Sequence, residues 1–119
     1  MKTVLIVDDS AFMRRVVRDI IIRNGYDVVG EAVSGKTAVE KYRELIPDIV
    51  MMDVTMEGMS GLEALEAILK INCSANVVMV SSISQEVVVR EAIMHGAKGF
   101  VVKPFDEKQI IDALVKLFK

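Results

Sequence analysis

The 119-residue chain is poor in the residue types that mark several classes of protein. Cys73 is its single cysteine, so no intrachain disulfide can form, and the chain fits a reducing cytosol. His95 is its single histidine, so histidine and cysteine cannot together build a metal site. There is no tryptophan, aromatic residues make up 5%, and lysine and arginine form no dense cluster. With a net charge of −2, this composition argues against a nucleic-acid partner.

Long hydrophobic runs are also missing. The longest ones, such as 49–52 and 77–80, are far too short to cross a bilayer, so no membrane partner is expected. The first nine residues include two aspartates where a secretory leader needs apolar residues, which predicts a cytoplasmic location. Hydrophobic residues make up 52% of the chain against 27% charged, enough for one domain with a proper core over residues 1–119.

Five short apolar segments alternate with amphipathic ones. Four of the apolar segments are continuous and rich in valine and isoleucine, which is typical of strands covered by helices on both faces. The second alternates less cleanly and is the best candidate for an edge strand. Strict alternation of strand and helix implies a doubly wound α/β fold with a parallel sheet. The predicted strands are 3–7, 27–32, 48–52, 76–80 and 99–102.

Polar residues stand where four of these strands end: Asp8 and Asp9, Asp53, Ser81, and Lys103. Each alone has a structural explanation as a helix cap or turn residue. Ligands of such sheets bind beyond the carboxyl ends of the strands, which would bring all five side chains together. Three converging carboxylates repel one another unless a cation intervenes, and a donor set of oxygens alone suits Mg²⁺. A lysine and a hydroxyl in that cluster would suit the binding of a phosphoryl group, whose oxygens they could contact.

Four motifs, in this order, resemble the CheY-like receiver domain of two-component response regulators. They are Val-Asp-Asp-Ser at 7–10, Met-Met-Asp-Val-Thr-Met at 51–56, Val-Ser-Ser at 80–82 and Gly-Phe-Val-Val-Lys-Pro-Phe at 99–105. The resemblance covers nearly the whole chain. It implies a flavodoxin-like sheet of five parallel strands in the order 2-1-3-4-5, flanked by five helices.

By that resemblance Asp53 is the phosphoacceptor, which takes a phosphoryl group from a phosphohistidine on a partner kinase. Asp9 and Asp53 bind Mg²⁺ directly, Asp8 acts largely through water, and the backbone carbonyl of Thr55 adds a ligand. Ile83, together with Thr55, flanks the site and influences how long the phosphoryl group lasts. One departure is Glu57, where the family often has proline, and we expect a looser loop and an altered dephosphorylation rate.

The resemblance also assigns the switch. Lys103 pairs with the phosphoryl oxygens and is held by a Lys103–Pro104 bond that is typically cis. Ser81 moves to bond a phosphoryl oxygen, and the ring of Phe100 turns inward in the active state. Such a protein catalyses only its own phosphorylation and dephosphorylation, so it is a signalling switch rather than an enzyme acting on other molecules.

The segment Asp-Asp-Ser-Ala-Phe-Met-Arg-Arg at 8–15 looks particularly like the receivers of chemotaxis systems. Both the stand-alone CheY type and the domain that fronts the methylesterase share this look. The implied partners are a histidine kinase of the chemotaxis type and a downstream motility or adaptor protein, and we expect a monomer. A phosphorelay intermediate and an excised methylesterase receiver are the alternatives.

The fourth helix predicts a partner surface. Its three consecutive valines, 87–89, span over half of the helix circumference at about 100° per residue, so some apolar side chains should be exposed. A helix buried on two sides is the alternative. Receivers commonly signal through the fourth helix, fifth strand and fifth helix, which places Val89, Ile93 and Phe100 on this face.

A competing motif lies at 30–37. Gly-Glu-Ala-Val-Ser-Gly-Lys-Thr matches the phosphate-loop pattern of nucleotide hydrolases, in which Lys36 would bind phosphate. However, Gly30 falls inside the second predicted strand and Glu31 would repel a phosphate. The structural alternative is a strand-to-helix turn with Ser34 as the helix cap.

Overall fold

The computed structural model describes residues 2–56, 58–82 and 86–118, with the side chain of Glu86 left out. Strands and helices alternate along the chain, and a short 3₁₀ helix, Lys116–Phe118, follows the last helix. The strands are β1 (Thr3–Val7), β2 (Asp27–Ala32), β3 (Ile49–Asp53), β4 (Val77–Ser81) and β5 (Gly99–Val102). The helices are α1 (Ala11–Arg23), α2 (Gly35–Leu45), α3 (Gly61–Ile71), α4 (Glu86–Met94) and α5 (Glu107–Val115).

The five strands form one parallel sheet in the order β2-β1-β3-β4-β5, which confirms the predicted fold, including β2 as an edge strand. All residues of β3 and β4 are buried, because helices cover both faces of the sheet. Successive residues of a strand point to opposite faces, so the sheet supports two cores. Among the described residues, no helix is both long and apolar enough to cross a membrane.

Each face of the sheet has its own hydrophobic cluster. On one face α2, α3 and α4 contribute Ala38, Tyr42, Ala64, Leu65, Ile68 and Ala92. On the other face α1 and α5 contribute Val17, Ile20, Ile21, Ile110 and Leu114. Because the central strands are packed on both faces, the backbone positions of the residues at their carboxyl ends are fixed.

Two strands begin and end one residue later than predicted. The sheet pairs Asp53 with Val80 and Ser81 with Val102, so both polar residues belong to their strands rather than to the loops beyond. Asp48, by contrast, lies outside β3, where its carboxylate accepts hydrogen bonds from the backbone nitrogen and the hydroxyl of Thr3. Apolarity alone set the predicted bounds, whereas backbone pairing sets the real ones.

Four of the helices that start at the carboxyl edge of the sheet have a side chain as their N-terminal cap. Ser10, Ser34, Ser60 and Asp106 each accept a hydrogen bond from the backbone nitrogen three residues later, at the starts of α1, α2, α3 and α5. In α3 and α5 the third residue of the helix returns a bond to the backbone of the cap. These four helices therefore begin at defined residues.

The segment that matched the phosphate-loop pattern is a capped turn. Gly30 lies within β2, and Gly35 is the first residue of α2. The side chain of Ser34 accepts from the Thr37 nitrogen at 3.2 Å and bonds the Thr37 hydroxyl at 2.9 Å. Glu31 is held in ion pairs with two arginines of α1. Ser34 therefore uses an amide that a phosphate would need, and the nucleotide-hydrolase alternative is not supported.

Gly61 brings α3 directly against the end of β3. A Cβ on this residue would overlap the carbonyl oxygen of Asp53 and lie 2.8 Å from the Cα of Val54. Its nitrogen also donates a hydrogen bond to the Val54 carbonyl at 2.9 Å. Because the obstructing atoms are backbone, no side chain can move aside to make room.

We therefore expect Gly61→Ala to lower the free energy of unfolding by about 1–3 kcal/mol, the usual cost of overpacking. Urea denaturation gives this value. Gly99→Ala is the matched control, since its Cβ would lie 3.5 Å from the nearest side-chain carbon of Val78, an ordinary contact. We expect it to change stability by less than about 0.5 kcal/mol. Equal effects of the two substitutions would contradict the close approach.

Candidate functional site

Three carboxylates meet at the carboxyl edge of the sheet. Asp8 and Asp9 follow β1, and Asp53 ends the neighbouring strand β3. One oxygen from each lies within 4.8 Å of the others. Asp8 and Asp53 are buried, whereas Asp9 is exposed. The structure thus brings together the three acidic residues that the sequence singled out, because β1 and β3 are adjacent and end at the same level.

Lys103 reaches this cluster from the end of β5. Its ammonium lies 3.0 Å from one oxygen of Asp8 and 3.6 Å from one oxygen of Asp53. Its backbone nitrogen donates to the carbonyl of Ser81 at 2.8 Å, and the Lys103–Pro104 peptide bond is cis. Ser81 is itself buried, on the strand between those of Asp53 and Lys103. The lysine is therefore fixed at its backbone while its charged end pairs with the acids.

Asp8 is held from several sides. One carboxylate oxygen accepts from the backbone nitrogen of Ser10 at 2.9 Å, and the other accepts from Lys103. Its backbone carbonyl accepts from the guanidinium of Arg14 at 2.7 Å. The sequence analysis missed Arg14, because neither the motifs nor the helical periodicity separate it from the adjacent Arg15. Only the packing of α1 beside β2 selects the residue that reaches the site.

Asp53 carries an unfavourable charge. Burial is the largest cause that raises its pKa, and the nearby carboxylates of Asp8 and Asp9 raise it further. The ammonium of Lys103 and a hydrogen bond from the Thr55 nitrogen at 3.3 Å lower the pKa, but the net direction is upward. The Lys103 ammonium and the Thr55 hydrogen bond therefore compensate the buried negative charge only in part. A bound cation would stabilise the charged carboxylate, and protonation would remove its charge.

The donor set fits Mg²⁺. All of the side-chain donors of this cluster are carboxylate oxygens, which hard divalent cations prefer. The raised pKa of Asp53 indicates that its charge lacks a full counter-ion. One of the three carboxylates, Asp9, faces solvent, which leaves room for the waters that Mg²⁺ retains.

The remaining predicted site residues lie at the margin of this cluster or away from it. Thr55 is exposed, and the described contact is its backbone nitrogen on Asp53. Phe100, on β5, is half-buried against the core that α2, α3 and α4 cover. It also lines a groove of about 310 Å³ between β5 and α5. Ile83 and Glu57 lie outside the described residues.

Two residues of the predicted partner surface lie on α4, and the third, Phe100, lies on β5. Val89 is half-buried, and Ile93 is 46% exposed. Val87 and Met94 are even more exposed, at 69% and 80%. Among the described side chains of this helix, Ala92 is fully buried. Apolar side chains therefore face solvent along α4, as its three valines predict.

The charge conflict at Asp53 has a measurable consequence. Its pKa in the folded chain is raised, so the folded state loses stability as pH rises through the window from the unfolded pKa, about 3.9, to the folded one. Stability is therefore compared at pH 7 in EDTA, above the unfolded pKa and without a cation to compensate the carboxylate. We expect Asp53→Asn to raise the free energy of unfolding there by about 0.5–2 kcal/mol, the range of single stabilising substitutions.

Asp48→Asn is the control with the opposite sign. Hydrogen bonds from Thr3, led by its backbone nitrogen, hold the pKa of Asp48 below its usual range. This favourable contribution is present above the unfolded pKa, so removing the carboxylate should lower stability at pH 7. Urea titrations at pH 7 and pH 3 would measure both effects, which should shrink at pH 3. A loss of stability in metal-free Asp53→Asn would contradict the charge conflict.

Comparison with known proteins agrees with this geometry. Residues 4–115 match the response regulator receiver domain family. The chemotaxis protein CheY of Thermotoga maritima is 52% identical over 118 residues, which cover 99% of this chain and 98% of that protein. A protein-glutamate methylesterase/protein-glutamine glutaminase of the same organism is 47% identical over 104 residues, which cover 85% of this chain but 30% of that protein.

The fold also has a close counterpart among solved structures. The crystal structure of the CheX–CheY–BeF₃–Mg²⁺ complex from Borrelia burgdorferi contains a chain that superposes with a TM-score of 0.96 at 34% identity, covering 99% of this chain and 90% of that one. The family match begins at the second residue of β1 and includes β3, β4 and β5, so it covers all of the clustered residues. The chain therefore belongs to the response regulator receiver domain family, and within it is similar to chemotaxis regulators of the CheY type.

Proposed function

We propose that the protein is a signalling switch in which Asp53 accepts a phosphoryl group in a Mg²⁺-dependent reaction. The observation that carries this proposal is the single cluster formed by Asp8, Asp9, Asp53 and Lys103 at the carboxyl edge of the sheet. A buried carboxylate beside two others and a lysine suits a nucleophile whose product is more negative than itself. The activity is limited to the protein's own phosphorylation and dephosphorylation.

In the proposed reaction an oxygen of Asp53 forms a bond to the phosphorus of a phosphohistidine on the donor. The phosphorus–nitrogen bond breaks, and its electron pair stays on the imidazole nitrogen. The product on this chain is an acyl phosphate. Asp9 and Asp53 would hold Mg²⁺, with Asp8 acting through water and the Thr55 carbonyl as a further ligand. Bound there, the ion supplies positive charge beside the transferring oxygens.

Lys103 supplies the other positive charge. Its ammonium already lies 3.6 Å from Asp53, so it can reach an oxygen of a phosphoryl group on that carboxylate while it stays near Asp8. Ser81 ends the strand next to that of Asp53, and its hydroxyl would bond a second phosphoryl oxygen. We assign Phe100 as the aromatic switch, since it is half-buried at the edge strand beside Ser81's strand. Phosphorylation then shifts a two-state equilibrium.

The proposed partners are those of chemotaxis signalling. A chemotaxis-type histidine kinase would donate the phosphoryl group, and a motility or adaptor protein would receive the signal. Two comparisons support these partners. The CheY of Thermotoga maritima is 52% identical and is covered over 98% of its length, and a chain of a CheX–CheY complex has the same fold. The contact face would be Val89, Ile93 and Phe100, on α4 and β5, where exposed apolar side chains lie.

In this role, residues 1–119 form one receiver domain that acts in the cytoplasm as a monomer. The CheY relative is matched over nearly its whole length, which favours a stand-alone messenger. The methylesterase is matched over 30% of its length and shares the receiver alone, so an excised receiver of that type is the second candidate. A phosphorelay intermediate would use the same site and differ in passing its phosphoryl group to another histidine.

Intact-mass analysis tests the chemistry. Incubation with acetyl phosphate and Mg²⁺, followed by a rapid cold quench, should add one phosphoryl group per chain. The adduct should be absent with Asp53→Asn and when EDTA replaces Mg²⁺, because each removes an element of the proposed reaction. Asp48→Asn, which alters a carboxylate at the opposite end of β3, should be phosphorylated like the wild type.

The outcomes separate cleanly. An adduct on Asp53→Asn would assign the phosphoryl group to another residue. A wild type that takes no phosphoryl group from acetyl phosphate, nor from a phosphorylated chemotaxis kinase, would overturn the proposed function.

Val89→Asp tests the partner face. We expect the phosphorylated variant to bind the motility or adaptor protein of the same organism at least about tenfold more weakly, a loss of about 1.4 kcal/mol, because a charge would have to be desolvated in the contact. Surface plasmon resonance measures the affinity. Val33→Asp is the matched control, since Val33 is 53% exposed beyond β2, at the other edge of the sheet. Unchanged affinity in a Val89→Asp variant that still accepts phosphate would contradict this placement.

A further inference from the structure

Arg14 joins the acidic loop to the edge strand. It lies in the first turns of α1, and its guanidinium donates to the carbonyl oxygen of Asp8 at 2.7 Å. A second nitrogen of the same group donates to a carboxylate oxygen of Glu31, on β2, at 3.0 Å. The side chain is 16% exposed, so it is largely packed between the two. A planar guanidinium with donors on different edges can hold both acceptors at once.

Glu31 is itself anchored. Its other carboxylate oxygen accepts from Arg18, one turn further along α1, at 2.9 Å. The two arginines therefore hold Glu31 between them, and Arg14 alone of the pair extends the chain of bonds to Asp8 among the contacts described. The backbone of Arg14 is therefore held by α1, and its guanidinium is held by the restrained carboxylate of Glu31.

The bond to Asp8 controls the next residue. The carbonyl of Asp8 belongs to the planar peptide unit that joins Asp8 to Asp9. A hydrogen bond to that oxygen therefore restrains the orientation of the peptide plane that precedes Asp9. Asp9 is the exposed member of the acidic cluster, so packing restrains its side chain less than those of Asp8 and Asp53. Holding this peptide plane reduces the backbone freedom at Asp9, and with it the number of directions in which its carboxylate can point.

We propose that Arg14 is a positioning residue for the divalent-cation site, acting through the Asp8–Asp9 peptide rather than through its charge. The inference rests on the Mg²⁺ site of the proposed function. Charge and position predict opposite effects here. A guanidinium near three carboxylates disfavours a cation, so removing its charge alone should tighten Mg²⁺ binding. Removing the restraint on Asp9 should weaken binding, because the ion would then have to order this ligand itself.

Arg18 provides the matched control. It is on the same helix, has the same charge and pairs with the same Glu31, at 48% exposure against 16% for Arg14. The experiment measures Mg²⁺ affinity of the purified full chain by isothermal titration calorimetry. We expect Arg14→Gln to weaken Mg²⁺ binding at least about tenfold, as loss of a partner that orients a ligand commonly does. Arg18→Gln should bind Mg²⁺ as tightly as the wild type or slightly more tightly.

Arg14→Lys separates charge from geometry. Lysine keeps the positive charge but presents one ammonium that cannot span the Asp8 carbonyl and Glu31 in the same way. Affinity close to that of Arg14→Gln supports positioning, whereas wild-type affinity would overturn it. The extent of phosphorylation by acetyl phosphate gives a second readout. For Arg14→Gln it should reach the wild-type level once Mg²⁺ is raised to saturation, and a persistent deficit would overturn the positioning role.

The controls keep the two proposals distinguishable. If the wild type binds no Mg²⁺, the proposed function itself fails. If the wild type binds Mg²⁺ and Arg14→Gln matches Arg18→Gln, only the positioning role fails. Urea denaturation checks that each variant is folded. Should Arg14→Gln not fold, Arg14→Lys together with Glu31→Gln, which weakens the anchor of Arg14, carries the same test with the same expected loss of affinity.

Discussion

Negative charge crowded at the carboxyl edge of the sheet is the constraint on which the rest of the site depends. Asp8, Asp9 and Asp53 place oxygens within 4.8 Å of one another, and burial together with this repulsion raises the pKa of Asp53. Lys103, at 3.0 Å from Asp8, offsets part of the repulsion. A protein keeps such an internal conflict where function needs it, and here the conflict favours the arrival of a cation.

The fold holds these groups together against their repulsion. One hydrophobic core packs on each face of the central strands. The backbone of Asp53 and Ser81 is also paired within the sheet, so its position is fixed. Gly61 lets α3 approach the end of β3, and Arg14 ties the loop after β1 to the edge strand. The packing of the core, together with the partial compensation by Lys103, therefore keeps the carboxylates close.

Much of this architecture could be predicted because its signals are local or simply periodic. Short apolar segments, four of them continuous, predicted five strands, and the polar residues that follow them predicted which edge of the sheet holds the site. The bounds of β3 and β4 were wrong by one residue, since hydrophobicity does not report backbone pairing. Resemblance to a family gave the strand order that composition and periodicity leave open, and the sheet confirms it.

The sequence by itself determined which chemistry is possible. Its strand ends carry carboxylates, a hydroxyl and a lysine, and its one histidine and one cysteine are too few for a metal site built from those two residue types. Tertiary structure decided how strongly these groups interact. The distance from Lys103 to Asp8 and the choice of Arg14 over Arg15 depend on how helices pack beside strands distant in the chain. Residue types set what a site can bind, whereas packing between remote segments sets where each group lies and how much its charge costs.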